Sequence, residues 1–554
     1  MRLYIPSTVL KILPSTFFRF RRAFWVRSCG AALLLLGLLC FRDYGVSWDE
    51  ETLRTNGMVS AKYVAGRLAP AWTARQAKFA HLPALAGYRD ADHGVLFELP
   101  VLAAARLLGV ADSRAYYLLR HLAVFLVFVV GAAALYGLGR CRLGSWRGGL
   151  LVSAALVLSP RFFAEAFYNA GDIVFLALFT LGVLTLVRLL RRPTLGRAAA
   201  HGLATAAAVD VRVLGGLLVA FTLGMVALEL GFGTPPGAAG RPRRAALLRA
   251  GALYLPVAAL AAVAGWPYLW EAPLPRLLAV VQRLSSYPWT GHVLYLGRSV
   301  AAQHLPWHYV PVWMLVTTPL AYTGAFVVGA GGALGALLRR GGGQLRTFGG
   351  RLDVLLLAWL AGPLGLVVGL HSVMYDGWRH LYFVYPALLL LAGRGAQRVW
   401  QLRAQGPRPR RLAGALAAAA GLSVAATAVQ MVAAHPQQQV YFAGLPPAAA
   451  ERLFERDYWG LSYRQGLEWI ARHDGAARLD VAGQSAGLIE KNLALVVPRD
   501  RARFRLVGAA RARYYLSAYR NHPAPYPDSL GPEVYQVRAY GMRVLSVFRR
   551  PGRL

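Results

Sequence analysis

The sequence predicts an α-helical membrane protein that crosses the bilayer many times and ends in a small α/β domain outside the membrane. Hydrophobic residues make up 56% of the 554 residues and charged residues 16%, whereas soluble proteins carry roughly a quarter charged residues. Apolar runs of membrane-spanning length recur as far as residue 433. After His435 the pattern changes to short alternating segments, which are typical of strands.

Apolar runs predict about eleven spans, the first being a retained signal anchor that ends at Phe41. It follows a basic N-terminal segment, and no Ala-x-Ala cleavage pattern is present. The segment 94–110 is apolar but too short to cross comfortably, which favours a re-entrant or interfacial helix. The other ten expected spans are 119–138, 147–162, 173–190, 198–211, 213–231, 245–265, 311–336, 352–370, 380–397 and 411–433.

The distribution of charge predicts which connecting segments face the cytoplasm. Arginine-rich segments without acids alternate with segments that hold most of the acids, and basic segments face inward by the positive-inside rule. We therefore expect a multi-pass protein of a bacterial inner membrane, with a cytoplasmic N-terminus and an extracytoplasmic C-terminal domain. This topology and anionic membrane lipids account for the net charge of +36, so nucleic acid is not an expected partner.

Two domains are expected, a transmembrane domain over residues 1–434 and an extracytoplasmic α/β domain over residues 435–554. The first contains an outer loop with interfacial helices at 43–118 and a large outer loop at 266–310. In the second, one amphipathic helix and several strands end in a hairpin. The three cysteines lie in or beside apolar segments, which predicts neither a disulfide framework nor a Cys-based metal site.

Asp49 and Glu50 follow the first span by a few residues, at the boundary between water and lipid. A carboxylate there can stay ionised while it reaches a lipid head group. It can then act as a general base that deprotonates a hydroxyl as the hydroxyl attacks. The alternative is an acidic, solvated loop without a chemical role.

This acid pair resembles that of the GT-C class of membrane glycosyltransferases, family 39 type, which includes protein O-mannosyltransferases and lipid A aminoarabinose transferases. Leu53 stands near the place of the family's usual tyrosine, and Leu99 replaces the lysine of its Phe-Glu-Lys-Pro element. Four further pieces are similar to the family in the same order: FELP (97–100), SPRFFAEAFYNAGD (159–172), LPWHYVPVW (305–313) and RHLYFVYPALLLLAG (379–393). The tail pieces HPQQQVYF (435–442) and FERDYWGLSYR (454–464) resemble a bacterial subgroup.

The resemblance implies a GT-C-like catalytic domain that transfers a sugar. A site on the outer face has no access to nucleotide sugars, because their charged diphosphates do not cross a bilayer. The donor is therefore expected to be a polyprenyl-phosphate sugar, and the acceptor a hydroxyl of a lipid, glycan or protein. With Asp49 as base, Glu50 would orient the loop or acceptor and Asp172 would support the site.

Arginine is the side chain best suited to hold the phosphate of such a donor. Arg212 is a candidate, although an ion pair with Asp210 at the membrane surface is an equal alternative. Arg379 is a second candidate beside His380, and an interfacial aromatic-basic anchor is its alternative. Arg161 is a weaker third candidate. The predicted contacts to donor phosphate or sugar also include His380, Trp307 and Tyr309.

The sequence establishes no cofactor, and a divalent metal is the one candidate that it offers. Glu98 and His308 would be its ligands, and ordinary polar contacts are the alternative for both. The stretch from Gly483 to Gly487, GQSAG, formally fits a nucleophile elbow, but too few residues follow for a hydrolase sheet. A tight turn from strand to helix is the alternative there.

The sequence thus predicts an inverting, polyprenyl-phosphate-sugar-dependent glycosyltransferase that acts on the outer face of the inner membrane. The alternative from another class is a transporter or flippase of lipid-linked intermediates. Transporters place charges near the midplane and show internal repeats, whereas here the outer acids lie in loops and no repeat is evident. A third alternative is an accessory scaffold whose exported tail binds a partner.

Overall fold

The computed structural model describes residues 9–234, 237–285, 287 and 289–550. Residues 1–8 of the basic segment, on which the signal-anchor prediction partly depends, lie outside the described residues. The first half of the chain forms twelve helices within the described residues: α1 (Val9–Cys40), α2 (Glu50–Leu68), α3 (Pro70–Ala74), α4 (Ala77–Ala80), α5 (Glu98–Leu107), α6 (Ser113–Leu143), α7 (Trp146–Val157), α8 (Pro160–Tyr168), α9 (Asp172–Arg191), α10 (Leu195–Val209), α11 (Leu217–Leu228) and α12 (Arg241–Gly265).

The second half of the bundle contains a short hairpin followed by the remaining long helices. The hairpin precedes the helix that begins at Tyr309, and a 3-10 turn at Arg379–Val384 leads into the helix that begins at Tyr385. The elements are α13 (Pro273–Ser285), β1 (His292–Tyr295), β2 (Arg298–Ala301), α14 (Tyr309–Thr317), α15 (Leu320–Arg340), α16 (Gly342–Leu345), α17 (Phe348–Gly369), α18 (Tyr385–Gln401) and α19 (Pro407–Ala433).

Eight helical segments of the described chain are long and apolar enough to cross a membrane, and α7 with α8 forms a ninth if this pair, bent by 69°, is one span. The sequence predicted about eleven. The expected span at 198–211 is the 15-residue α10, and that at 380–397 is the 17-residue α18. At 1.5 Å per residue both are shorter than a bilayer core of about 30 Å. Residues 385–395 of α18 are buried, so their apolar character reflects packing in the bundle interior.

The C-terminal segment forms a small α/β domain, as predicted, and its strands form one mixed sheet. Its strand order is β4-β3-β5-β7-β6; β3 runs parallel to β4 and β5, and β7 runs antiparallel to β5 and β6. Tyr540 and Gly541 close the final hairpin with positive φ angles, the backbone of a tight two-residue turn. The elements are α20 (Pro447–Leu453), α21 (Ser462–His473), β3 (Leu479–Gly483), α22 (Ala486–Leu493), α23 (Pro498–Arg501), β4 (Phe504–Leu506), β5 (Tyr514–Ala518), β6 (Glu533–Ala539) and β7 (Met542–Arg549).

The GQSAG stretch is a tight turn from β3 into α22. Ser485 accepts a hydrogen bond from the Leu488 amide at 3.3 Å and therefore caps the helix. His522 donates to the Ala524 carbonyl oxygen at 2.7 Å. These contacts support the structural alternative over a nucleophile elbow.

The sheet packs on one end of the bundle, called here the domain-facing end. There Asn492 of α22 donates to the Val46 carbonyl oxygen at 3.2 Å and accepts from the Val46 amide at 3.0 Å. Tyr44 donates to the Gln438 side chain at 3.2 Å. The loop after α1 is thus held by groups from the C-terminal segment. Within the bundle α9 is mostly buried, whereas α1 and α19 are mostly exposed at the edge.

Helices α15 and α18 pack closely along small residues, which generates a prediction about stability. A Cβ atom at Gly329 would overlap the carbonyl oxygen of Leu391, whereas one at Gly331 would meet nothing within 4 Å. Gly329→Ala should therefore lower the free energy of unfolding by about 1–3 kcal/mol. Gly331→Ala on the same helix should be neutral or stabilising by up to about 1 kcal/mol. Thermal unfolding in detergent measures both, and equal midpoints would contradict the close packing.

Candidate active site at the domain-facing end

Arg379 is the centre of a buried cluster of charges. Its guanidinium group, with the residue 3% exposed, donates to Asp376 at 3.1 Å, to Asp49 at 3.0 Å and to Asp172 at 3.3 Å. Asp376 lies in the loop before the 3-10 turn, Asp49 in the loop after α1, and Asp172 in the first turn of α9. A buried cation requires paired charges, so the arginine draws three distant segments together. Three predicted site residues, Asp49, Asp172 and Arg379, thus meet.

Asp172 also joins Arg212 to this cluster. One oxygen of Asp172 pairs with Nη2 of Arg212, and the other accepts from the side chain of Asn169 at 2.9 Å. The Asp172 amide donates to the Asn169 side-chain oxygen at 2.8 Å. Asp172 lies in the first turn of α9, where the helix dipole also stabilises a negative charge. This carboxylate links the two arginines that the sequence singled out.

The predicted alternative of an Asp210–Arg212 ion pair is wrong. Arg212 pairs with Asp172 instead. Asp210 is 2% exposed, and its Oδ1 has no hydrogen-bond partner among the described residues. Asp210 ends α10 and Arg212 precedes the next 3-10 turn, so the chain reverses between them. The two side chains therefore need not meet, despite their closeness in sequence.

Glu165 lies behind Asp172 and was not predicted as a site residue. It is fully buried and accepts from Tyr382 at 2.9 Å, from Tyr458 at 3.0 Å and from the Asn169 side chain at 2.6 Å. Tyr458 comes from the FERDYWGLSYR piece. The C-terminal segment thus contributes directly to the packing of the site.

A second contact from the C-terminal segment reaches Asp376. Arg520, which follows β5, pairs with Asp376 through Nη2 and lies 3.6 Å from Glu455 through Nε. Glu455 also accepts from the Gly377 amide at 3.1 Å, and its burial raises its pKa to about 7. Sequence reasoning missed both residues. The resemblance of 454–464 was the one signal for Glu455, while nothing in the sequence pointed to Arg520.

Glu50 lies beside Asp49 in sequence but faces a different set of partners. It accepts from the Ser47 amide at 2.7 Å and pairs with His121 at 3.2 Å and Arg120 at 3.5 Å. Arg120 also donates to both oxygens of Glu98. Glu50 thus ties the loop that carries Asp49 to α6.

The predicted metal ligands Glu98 and His308 do not form a metal site. Both Glu98 oxygens are occupied by Arg120, and Nδ1 of His308 lies 2.6 Å from the Tyr295 hydroxyl. Neither belongs, within the part of the chain that the structure describes, to a group of three or more potential ligands. The donor set therefore does not fit a catalytic metal at this pair. The reason is the bidentate Arg120–Glu98 pair, which the sequence did not reveal.

The remaining predicted donor contacts form no ion pair with the cluster among the described residues. Trp307 is exposed, whereas Tyr309 is buried. Arg161 is also buried, and its Nε donates to the Tyr441 carbonyl oxygen at 3.3 Å. The Tyr309 hydroxyl and Nδ1 of His380 have no hydrogen-bond partner among the described residues. Tyr309 and His380 thus each have an unused polar group, and His380 directly follows Arg379 in the chain.

Two of the predicted site residues in the cluster can be reached by solvent or a ligand. The Asp49 side chain is 36% exposed and the Arg212 side chain 20%, whereas Asp172 is 1% exposed. Nε of Arg212 is buried and has no hydrogen-bond partner among the described residues. An accessible carboxylate and a partly exposed arginine side chain thus flank the buried ion pairs. This arrangement suits removal of a proton on one side and binding of an anion on the other.

No protein-family model and no curated protein matches this chain. The fold resembles that of the archaeal oligosaccharyltransferase AglB from Archaeoglobus fulgidus, solved with an inhibitory peptide and a dolichol-phosphate. That match has a TM-score of 0.50 and 11% sequence identity, and it covers 89% of this chain and 70% of AglB. ArnT from Cupriavidus metallidurans also aligns, with a TM-score of 0.49, 14% identity and coverage of 95% and 98%.

The likeness to AglB establishes the fold. The chain is a helical membrane protein that shares the fold of AglB and ends in a small sheet domain, so the predicted helical membrane fold with a C-terminal α/β domain is confirmed. Membership of family 39 stays a prediction, as do the catalytic roles of the residues described above.

The Arg379 cluster predicts a large loss of stability when its central cation is removed. Arg379→Met should lower the free energy of unfolding by about 3–5 kcal/mol, because Asp49, Asp172 and Asp376 lose a shared partner. Arg499→Met is the control, since that side chain is 92% exposed, and should change stability by less than about 0.5 kcal/mol. Unfolding in detergent measures both variants. Equal stability of the two would show that the cluster does not hold the fold.

Glu455 predicts a pH-dependent stability. The pKa of Glu455 is about 7 in the folded protein and 4.5 in the unfolded chain. Between these values the folded state retains a proton that the unfolded chain releases. The free energy of unfolding should therefore fall as the pH rises from about 4.5 to 7. Glu455→Gln should flatten this slope, and Glu490→Gln, at an exposed position, should leave it unchanged. Unfolding midpoints across this range test the effect, and identical slopes in all three proteins would contradict it.

Proposed function

We propose that this chain is an inverting glycosyltransferase of a bacterial inner membrane. It moves a sugar from a polyprenyl-phosphate donor to a hydroxyl acceptor at the outer face. The observation that carries the proposal is the position of Asp49 in the Arg379 cluster. Its carboxylate is accessible and oriented, and it shares that cluster with Arg212, whose side chain is partly exposed.

Asp49 acts as the general base. It takes the proton of the acceptor hydroxyl while the hydroxyl oxygen forms a bond to the anomeric carbon. The bond from that carbon to the phosphate oxygen breaks, and the polyprenyl phosphate leaves with the electron pair. One displacement of this kind inverts the configuration of the sugar. Arg379 holds one Asp49 oxygen at 3.0 Å and so orients the carboxylate.

Arg212 stabilises the leaving phosphate. Its Nη2 is paired with Asp172, and its side chain is 20% exposed, so a ligand can approach the guanidinium group. An arginine fork matches phosphate oxygens, and such charge-assisted bonds are stronger than neutral ones. Arg379 was also predicted to bind phosphate, but its donors contact three carboxylates. We therefore assign it the positioning of Asp49, with Asp172 as the link between the two arginines.

Glu50 keeps the Asp49 loop in place. Glu50 accepts a hydrogen bond from the Ser47 amide, two residues before Asp49. It also pairs with Arg120 and His121 of α6, which fixes the loop against that helix. A base must lie within hydrogen-bond reach of the proton that it removes, so the position of the loop controls the rate. Glu50 is thus a positioning residue in this proposal.

A lipid-linked donor is favoured by chemistry and supported by analogy. Nucleotide sugars do not cross a bilayer, so an outer-face site requires a donor delivered by lipid. AglB, which shares the fold, was solved with a dolichol-phosphate and a peptide, and fold-level analogy extends such a lipid and a lipid, glycan or protein acceptor to this chain. A transporter or flippase of lipid-linked intermediates is the alternative. It predicts transbilayer movement of the donor without release of free lipid phosphate.

Donor cleavage by the purified protein tests the proposal. Incubation with a panel of radiolabelled polyprenyl-phosphate sugars and an acceptor extract should release free polyprenyl phosphate. Asp49→Asn should lower that rate on the order of 10²–10⁴-fold, with unchanged abundance and membrane insertion.

Glu51→Gln is the matched control, because it removes one carboxylate two residues away. Its side chain is 57% exposed and pairs with Lys491, and such surface pairs contribute about 0–1 kcal/mol. The control should therefore keep the wild-type rate. Full activity in Asp49→Asn would remove Asp49 from the mechanism, and no release from any donor would favour the transporter.

A further inference from the structure

Arg520 connects the C-terminal sheet domain to the Arg379 cluster. It follows β5 in the chain, and its Nη2 pairs with Oδ1 of Asp376. The other oxygen of Asp376 accepts from Nε of Arg379 and pairs with Nη2 of the same residue, both at 3.1 Å. One carboxylate thus bridges two arginines, one from the bundle and one from the sheet domain.

Asp376 determines which nitrogen of Arg379 faces Asp49. The guanidinium group is planar, and its donors form a rigid fork. With Nε and Nη2 on Asp376, the remaining Nη1 lies 3.0 Å from an Asp49 oxygen and 3.3 Å from an Asp172 oxygen. A rotation of the Asp376 carboxylate would therefore turn the fork and move the donor that orients Asp49.

The backbone of the Asp376 loop also depends on the C-terminal segment. Asp376 and Gly377 have φ angles of 58° and 68°, in the left-handed region that a residue with a side chain seldom adopts. The Gly377 amide donates to Glu455 at 3.1 Å. This hydrogen bond and the pair with Arg520 hold the loop in a conformation that is otherwise unfavourable for Asp376.

Arg520 is itself held in place by backbone hydrogen bonds. Its carbonyl oxygen accepts from the Arg456 amide at 3.2 Å, and the preceding Tyr519 amide donates to the Val544 carbonyl oxygen of β7 at 3.0 Å. The Arg520 side chain is 32% exposed, so it lies at the edge of the cluster. Its replacement therefore leaves no closed cavity in the bundle or in the sheet domain.

We propose that Arg520 is a positioning residue for the base. The inference rests on the proposed function, in which Asp49 removes the proton of the acceptor hydroxyl. Arg520 fixes the carboxylate of Asp376, which fixes the fork of Arg379, and that fork orients Asp49. The C-terminal domain therefore completes the active site, although Arg520 acts only through these intermediate side chains.

Steady-state kinetics of donor cleavage tests this role. In Arg520→Met, kcat should fall by about 10–100-fold, because a displacement of roughly 1 Å at the reacting groups costs rate of this order. The KM for the donor should not change, since Arg212 still binds the phosphate. Arg520→Lys keeps a positive charge beside Asp376 and should recover most of kcat. Arg478→Met is the matched control in the same domain, because that arginine is 57% exposed in a surface pair with Asp480, and it should keep wild-type kinetics.

Hydrogen exchange of the full-length protein in detergent measures the positioning without catalysis. Arg520→Met should speed amide exchange by about tenfold in the peptides that contain Asp49 and Asp376. The strands of the sheet should keep wild-type rates, and Arg478→Met should leave both peptides unchanged. Exchange decides the positioning even if the wild type cleaves no donor, an outcome that would refute the proposed function alone.

Three results would overturn the role of Arg520. The first is equal exchange of the Asp49 peptide in Arg520→Met and in the wild type. The second is faster exchange throughout the sheet domain, or failure of both Arg520→Met and Arg520→Lys to fold, which would assign the residue to domain stability. The third is a rise in the donor KM with kcat unchanged, which would assign it to donor binding.

Discussion

The structure depends on one electrostatic constraint, the neutralisation of a guanidinium group buried at the end of a helix bundle. Arg379 is 3% exposed and contacts three carboxylates. Each comes from a different segment of the chain, so satisfying one cation positions the loop after α1, the start of α9 and the loop before α18. An unpaired charge there would cost several kcal/mol. The same interaction that holds these segments together also orients the accessible carboxylate of Asp49.

Much of the fold could be predicted because its signals are local. Apolar runs marked the long helices, and alternation after His435 marked the strands of the sheet. The number of spans was less predictable. Both α10 and α18 are apolar but too short to cross a bilayer core, and α18 is apolar because it packs inside the bundle. Sequence patterns do not distinguish a side chain buried against protein from one that faces lipid. Sequence composition also did not reveal the bend between α7 and α8.

Charges that interrupt apolar sequence were the part of the candidate site that could be predicted. Asp49, Asp172, Arg212 and Arg379 stand out for that reason, and the structure brings them together. Glu455 and Arg520 were missed because their partners lie far away in the chain. Glu98 was misread as a metal ligand because its partner Arg120 lies on another helix.

The contact of Arg520 with Asp376 has a consequence for biogenesis. The ribosome synthesises Asp376 and Glu455 before Arg520. These acids are therefore present in the nascent chain before their arginine partner has emerged. The charge balance of the cluster is complete only when nearly the whole polypeptide has been translated and its last strands have docked. A truncated product would lack one of the two arginines that pair with Asp376 and the arginine beside Glu455. Quality-control proteases would then have a physical basis for distinguishing finished molecules from unfinished ones.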